Sequence, residues 1–116
     1  MGKVTIILNE YPGSMRSWNG LRVAAGLVGV DMEVEIYLLD AAVYVAKKGQ
    51  HPPEGLKELN LAKKLCELLE LGVSVYACQT CVEGAGLTKE EFVDGVRIST
   101  LTDLCKSIKE SKVLVF

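Results

Sequence analysis

Short apolar runs rich in β-branched residues alternate along the chain with longer stretches in which apolar residues recur at helical spacing. Each short run is bounded by glycine, proline or polar residues, a pattern typical of buried strands. Five runs of this kind predict strands, at residues 4–9, 34–39, 73–77, 96–98 and 113–116.

The stretches between these runs predict helices with one apolar face. Ser14 suits the N-cap of the first helix, and Asp40 that of a short second helix. Thr88 and Glu91 have the spacing of a capping box. The predicted helices cover residues 15–28, 41–48, 56–69, 89–94 and 101–108, and residues 49–55 form the longest loop.

Strands that alternate with helices predict a mainly parallel sheet with helices on both faces, because a parallel crossover is long enough to hold a helix. The expected fold class is α/β, and 116 residues suit a single domain, residues 1–116. In such sheets, reactive groups gather at the carboxyl ends of the strands. The segment Cys78-Gln79-Thr80-Cys81 stands at the end of the third strand, where we expect a turn.

Composition and charge narrow the class of protein. A chain that is 49% apolar and 24% charged has a globular balance, which argues against disorder and fibrous repeats. No apolar run approaches the roughly 20 residues of a membrane span, so no membrane partner is expected. A formal net charge of -2 offers no basic field for nucleic acid. The start of the chain lacks a secretory signal pattern, which favours a cytoplasmic protein with reduced thiols.

The four cysteines fall into two pairs. Cys66 and Cys105 lie on the apolar faces of predicted helices, where a cysteine usually behaves as a small, inert hydrophobe. Cys78 and Cys81 stand where a strand ends, a position that tends to be partly exposed and close to free backbone N–H groups that stabilise a thiolate. The alternative is that Cys78 continues the buried strand and Cys81 fills a gap.

Two familiar uses of a C-x-x-C motif fit this chain poorly. Zinc would need two further ligands, but His51 precedes two prolines in a loop, and Cys66 and Cys105 are expected to be buried. No metal site within one subunit is therefore predicted, and no cofactor; ligands shared between subunits stay open. Thioredoxins start a long helix at the motif, which Gly84 and Gly86 disfavour, and use a cis-proline, whereas no proline follows this motif.

Residues 72–87, GVSVYACQTCVEGAGL, resemble the central motif of the DsrE-like (DsrE/DsrF-like) sulfur-relay family, which includes the sulfur-relay subunit TusD and the YchN-type proteins. The resemblance covers essentially the whole chain, from the opening strand through the Leu-rich middle helix to the closing strand. It implies a three-layer α/β/α domain with a mainly parallel sheet of about five strands. It also implies a homotrimer or homohexamer with cysteine pockets near the subunit interfaces.

The resemblance also implies roles for single residues. Cys78 takes the place of the cysteine that carries persulfide sulfur in sulfur-relay members, and Cys81 matches a second cysteine found in some members. The family often has arginine immediately before the last glycine of the motif, where this chain has Ala85. Arg97, Lys89 or a neighbouring subunit are the candidates to replace that arginine.

Several other residues are candidates for the substrate pocket. Asn9 and Tyr11 follow the first strand and are expected to face the cysteine crevice. Trp18 and Tyr44 are candidates for interface or pocket walls, with core packing as the alternative. The remaining pocket candidates are Gln79, Gly86 and Arg97.

Three functions are compatible with these residues. In the first, a small sulfur-handling protein accepts sulfane sulfur from a donor persulfide on Cys78 and passes it to an acceptor thiol, with Cys81 as the resolving thiol. In the second, the two cysteines form a reversible disulfide for redox exchange or sensing, without sulfane sulfur. In the third, the fold is a non-catalytic oligomeric binding module.

Overall fold

The computed structural model describes residues 2–116, in which five strands form one sheet and every neighbouring pair is parallel. They lie in the order β4-β3-β2-β1-β5, so that β4 and β5 are the edges. Parallel strands end at the same side of a sheet, so the segments that follow β1, β2 and β3 come together there. The strands are β1 (Lys3–Leu8), β2 (Glu33–Leu38), β3 (Ser74–Cys78), β4 (Arg97–Ser99) and β5 (Lys112–Val115).

Helices connect the strands, and side-chain caps explain where three of them begin. Ser14, Asn60 and Thr100 each accept a hydrogen bond from a backbone N–H in the first turn of α1, α2 and α4. No helix within residues 2–116 is long and apolar enough to cross a membrane. The α-helices are α1 (Met15–Gly29), α2 (Leu61–Glu70), α3 (Gln79–Gly84) and α4 (Leu101–Glu110), and 3-10 helices span Asp40–Ala46, Glu54–Leu59 and Lys89–Glu91.

The side-chain alternation of β1 gives the sheet two different faces. Ile6 and Leu8 point into the main core, to which α1 and α2 contribute. Ile7 points the other way and packs with Tyr37 of β2 and Leu104 of α4. The sheet therefore lies between α1 and α2 on one side and α4 on the other. This arrangement confirms the predicted α/β fold with a mainly parallel sheet.

The long helix predicted at residues 56–69 is divided into two parts. Leu56 has a non-helical backbone, with φ -128° and ψ 31°, inside the 3-10 helix Glu54–Leu59. Asn60 then accepts a hydrogen bond from the Lys63 N–H at 3.2 Å and starts α2. Because apolar residues keep the same spacing through both parts, periodicity alone misses the break.

Two other predicted helices are shorter than expected or wound differently. The helix predicted after Asp40 is the 3-10 helix Asp40–Ala46. The helix predicted after the Thr88 capping box is reduced to Lys89–Glu91, although the capping box itself is present. The chain turns extended at Phe92, which pairs with Lys47 in an isolated antiparallel bridge. A tertiary contact therefore overrides the local helical signal.

Candidate thiol site

The segment from Cys78 to Cys81 was expected to form a turn, but it is the junction between β3 and the short helix α3, which begins at Gln79. Val75 and Ala77 are buried in the main core, so strand alternation places Cys78 on the side of the sheet that faces α4. Cys78 is also the N-cap of α3, and Cys81 lies in the first turn of that helix. Both thiols are free and partly exposed. The junction thus presents two nucleophilic sulfurs next to each other.

The neighbouring strand end contacts the sulfur of Cys81. The chain leaves β2 after Leu38, and the Asp40 N–H donates a hydrogen bond to Cys81 Sγ at 3.2 Å. Burial raises the pKa of the Cys81 thiol, the Asp40 N–H opposes that rise, and the neighbouring Cys78 thiol adds to it. The net pKa lies above the usual range for cysteine. Cys81 is therefore mostly a thiol at neutral pH, and the Asp40 N–H is the contact that favours its anion.

Cys81 forms part of the wall of an open depression of about 350 Å³. The Tyr44 hydroxyl donates a long hydrogen bond to the Ala85 carbonyl, at 3.4 Å, and so links the two sides of this depression. The other lining residues are Asp40, Ala41, Tyr44, Gly84 and Ala85. Among the described residues that form this wall, Asp40 is the one with a charged side chain, so the depression offers an anion no basic partner.

Two of the predicted pocket residues flank the cysteines along the chain. Gln79 is the exposed first residue of α3. Gly86 follows α3 with a left-handed backbone, φ 71°, which glycine adopts without steric cost. The chain then passes through the 3-10 helix Lys89–Glu91 before it reaches β4.

Three other predicted pocket residues lie away from the Cys81 depression. The Asn9 side-chain amide donates to the Phe116 carbonyl at 3.3 Å, and Asn9 lines a separate depression beside β5. Tyr11 is exposed, and its ring lies against Gly13. Arg97 opens β4 and lines a third depression at the amino end of β3. Because β2 separates β1 from β3, the residues that follow β1 are held two strands from the cysteines.

The other two cysteines differ from each other. Cys66 is half-buried on α2, where burial and then the carboxylates of Glu70 and Asp94 raise the pKa of its thiol. Cys105 is exposed on α4, so the prediction that it is buried is wrong. The helix packs on the sheet through a narrower face that includes Leu104. Within residues 2–116, no group of three or more His, Cys, Asp or Glu side chains could hold a metal ion.

Asp40 is the residue of the site that the sequence does not predict, whereas Tyr44, a candidate for a pocket wall, does line the depression. The sequence predicts only a helix cap for Asp40, and either a pocket wall or a place in the core for Tyr44. The available signal was position, since Asp40 follows a strand and parallel strands end at the same side of a sheet. The missing information was the strand order, which pairs Leu38 of β2 with Ala77 of β3 and so brings the two strand ends together.

A parallel sheet with two thiols at the end of one inner strand defines a small α/β protein with a thiol site. The DsrE/DsrF-like family model matches residues 2–116, and the chain belongs to this family. Similar relatives include the uncharacterized protein MJ0989 of Methanocaldococcus jannaschii, which is 39% identical over 114 residues, 97% of each chain. Protein YchN of Escherichia coli K12 is 34% identical over 120 residues, with both chains fully covered.

Solved structures give the same picture of the fold. The crystal structure of YchN from Escherichia coli matches with a TM-score of 0.91 at 34% identity, and all of both chains is covered. Protein BT1422 of Bacteroides thetaiotaomicron, of unknown function, matches with a TM-score of 0.77 at 20% identity, covering 98% of this chain and 94% of that one. At that level of identity the second likeness concerns the fold alone.

Proposed function

We propose that this protein carries sulfane sulfur as a persulfide on Cys78 and delivers it to an acceptor thiol. The observation that carries the proposal is the pair of free, partly exposed thiols at the carboxyl end of β3. Membership of the DsrE/DsrF-like family supports it, because that family includes proteins of sulfur relay. The donor and the acceptor are proposed to be proteins that present a persulfide and a thiol in a reducing cytoplasm.

Loading and delivery are exchanges between a thiolate and a persulfide. The Cys78 thiolate attacks the outer sulfur of the donor persulfide, a new sulfur–sulfur bond forms on Cys78, and the donor leaves as a thiolate. Delivery is the reverse type of step: the acceptor thiolate attacks the outer sulfur, and Cys78 leaves as a thiolate. Neither step changes the overall oxidation level, so no redox cofactor is required.

Cys81 gives the same site a second outcome. Its thiolate attacks Cys78 Sγ in the persulfide, a Cys78–Cys81 disulfide forms, and hydrosulfide leaves. The two cysteines lose two electrons, which reduce the sulfane sulfur, and an external dithiol reductant must then restore both thiols. The disulfide closes only if the Cβ atoms approach to about 4 Å. Cys78 is the N-cap of α3 and Cys81 lies three residues on in its first turn, a spacing that favours this step.

Intact-protein mass spectrometry after incubation with inorganic polysulfide tests the proposal. The wild type should gain the mass of one sulfur atom, and Cys78→Ser should not. In Cys81→Ser the adduct should last longer, because the thiol that displaces hydrosulfide is missing. Cys105→Ser is the matched control, since its exposed thiol lies on another helix; its adduct should form and decay as in the wild type.

The alternatives give different masses in the same experiment. A disulfide-exchange or redox-sensing protein would instead lose the mass of two hydrogen atoms and gain no sulfur adduct. Cys78→Ser and Cys81→Ser would each abolish this loss. An unchanged mass in every variant would leave the non-catalytic binding module as the better account and would contradict the carrier.

A further inference from the structure

Asp40 has a backbone conformation that few non-glycine residues adopt. Its φ is 52°, and within residues 2–116 Asp31, with φ 66°, is the other non-glycine residue with a positive φ. The left-handed region disfavours most side chains, and aspartate tolerates it better than β-branched residues do. Asp31 lies in the turn before β2, whereas Asp40 lies after β2, separated from its last residue by Leu39.

The conformation of Asp40 directs its N–H to the thiol site. The chain turns there from β2 into the 3-10 helix Asp40–Ala46, and the N–H donates to Cys81 Sγ at 3.2 Å instead of to a backbone carbonyl. A hydrogen bond from a backbone amide stabilises a thiolate more than a thiol. The hydrogen bond also fixes the position of Cys81 Sγ. In the resolving step this sulfur must reach Cys78 Sγ.

We propose that Asp40 is a positioning residue for Cys81: its left-handed backbone holds an N–H against Cys81 Sγ and favours the thiolate that resolves a persulfide on Cys78. The inference rests on the proposed function for the identity of the reaction, but the contact can be measured without sulfane sulfur. The titratable groups that face Cys81 are the carboxyl group of Asp40, the hydroxyl of Tyr44 and the thiol of Cys78.

The rate of alkylation of Cys81 by iodoacetamide, measured as a function of pH in a Cys78→Ser background, tests this role. Asp40→Val disfavours the left-handed backbone and so displaces the N–H; the rate at pH 7 should fall about tenfold and the pH profile should move to higher pH. Asp40→Asn keeps the N–H and tolerates the same backbone, so its rate should stay within about twofold of the parent's or rise as the carboxylate charge is lost.

Asp31→Val is the matched control, because it introduces the same valine side chain at the other aspartate with a left-handed backbone, away from the cysteines. It should destabilise the protein as Asp40→Val does but leave the alkylation profile of Cys81 unchanged. A folded Asp40→Val with the profile of its parent would overturn the proposal. So would equal slowing in Asp31→Val, because the effect would then be a general loss of stability.

A second measurement needs no substitution at Asp40. In an NMR pH titration of the otherwise unmodified protein, the amide proton of Asp40 should shift as Cys81 ionises, and Cys81→Ala should abolish that shift. The amide of Asp31 is the internal control and should not respond. An Asp40 amide proton that does not shift as Cys81 ionises would contradict the positioning role. If the alkylation and NMR results both hold but the protein does not load sulfur, only the carrier function would be contradicted.

Discussion

At the residue scale, polar side chains fill the space between the sheet and α4. The Thr5 hydroxyl donates to the Glu35 carboxylate at 2.9 Å, and the Lys3 ammonium group lies 3.4 Å from the same carboxylate. The Tyr37 and Ser107 hydroxyls share a hydrogen bond of 3.0 Å. Buried polar groups are costly unless they are paired. The position of α4 therefore depends on satisfied hydrogen bonds as well as on apolar packing.

The hydrogen bond between Tyr37 and Ser107 gives a prediction about stability. Tyr37→Phe removes one buried partner and leaves the Ser107 hydroxyl without it, so the free energy of unfolding should fall by about 1 kcal/mol. Urea unfolding at neutral pH measures this difference. Tyr44→Phe is the matched control: its hydroxyl lies in the open depression at 3.4 Å from its acceptor, and its removal should change stability very little.

Tyr37→Phe should also change how the stability of the protein responds to alkaline pH. Burial raises the pKa of Tyr37, so the folded protein keeps this phenol protonated where the unfolded chain loses the proton. The stability that this preference provides is complete below about pH 10 and is lost as pH rises through the folded-state pKa. Tyr37→Phe should therefore lose stability less steeply above about pH 10. Parallel alkaline slopes for the two proteins would contradict this assignment.

The residues of the thiol site show what a sequence can and cannot predict at this scale. Cys78 and Cys81 could be singled out because a thiol pair at a strand end is a local pattern. The N–H of Asp40 could not, since its direction depends on a backbone angle and on the neighbouring strand. Cys105 was misplaced because helical spacing identifies an apolar face without showing how much of that face a neighbour covers.

At the element scale, α1 approaches β1 closely at Gly20. A Cβ at this position would collide with the Leu8 side chain and would lie 3.3 Å from the ring of Phe116. The absence of a Cβ at Gly20 therefore allows α1 to pack closely against Leu8 and Phe116. Gly26, further along the same helix, is exposed and has nothing within 4 Å of where its Cβ would be.

The two glycines predict opposite effects of the same substitution. Gly20→Ala should lower the free energy of unfolding by about 1–3 kcal/mol, because the core must shift to admit the methyl group. Gly26→Ala should raise it by about 0.5–1 kcal/mol, because alanine loses less backbone entropy in a helix. Thermal or urea unfolding of both variants checks the pair, and a gain in stability for Gly20→Ala would show that α1 does not pack as closely as described.

Most elements could be predicted because their signals are local. All five strands were expected near their observed positions, since short β-branched runs between turn residues are distinctive. One failure occurred where a distant contact decides the structure, at Phe92, which bridges to Lys47 instead of continuing a helix. The different environments of Gly20 and Gly26 likewise depend on neighbours that only the folded chain supplies.

At the scale of the whole molecule, α4 and the edge strand β5 leave apolar side chains exposed. Leu101 and Ile108 on α4, and Leu114 and Val115 on β5, are all exposed, and Val115 is 65% accessible. An edge strand with unpaired backbone groups and apolar side chains can associate with another chain. These surfaces suit the homotrimer or homohexamer that the family resemblance implies, and we propose that β5 lies in the interface of such an assembly.

Sedimentation velocity at micromolar concentration tests that assembly. The wild type should sediment as a trimer or a hexamer, and Val115→Glu should shift it toward the monomer, because a buried carboxylate at an interface is costly without a partner. Val30→Glu is the matched control, since Val30 is equally exposed, at 68%, but lies just after α1, at the opposite end of the strands. The sedimentation of this variant should match that of the wild type. A monomeric wild type would contradict the assembly, and an unaffected Val115→Glu oligomer would exclude β5 from the interface.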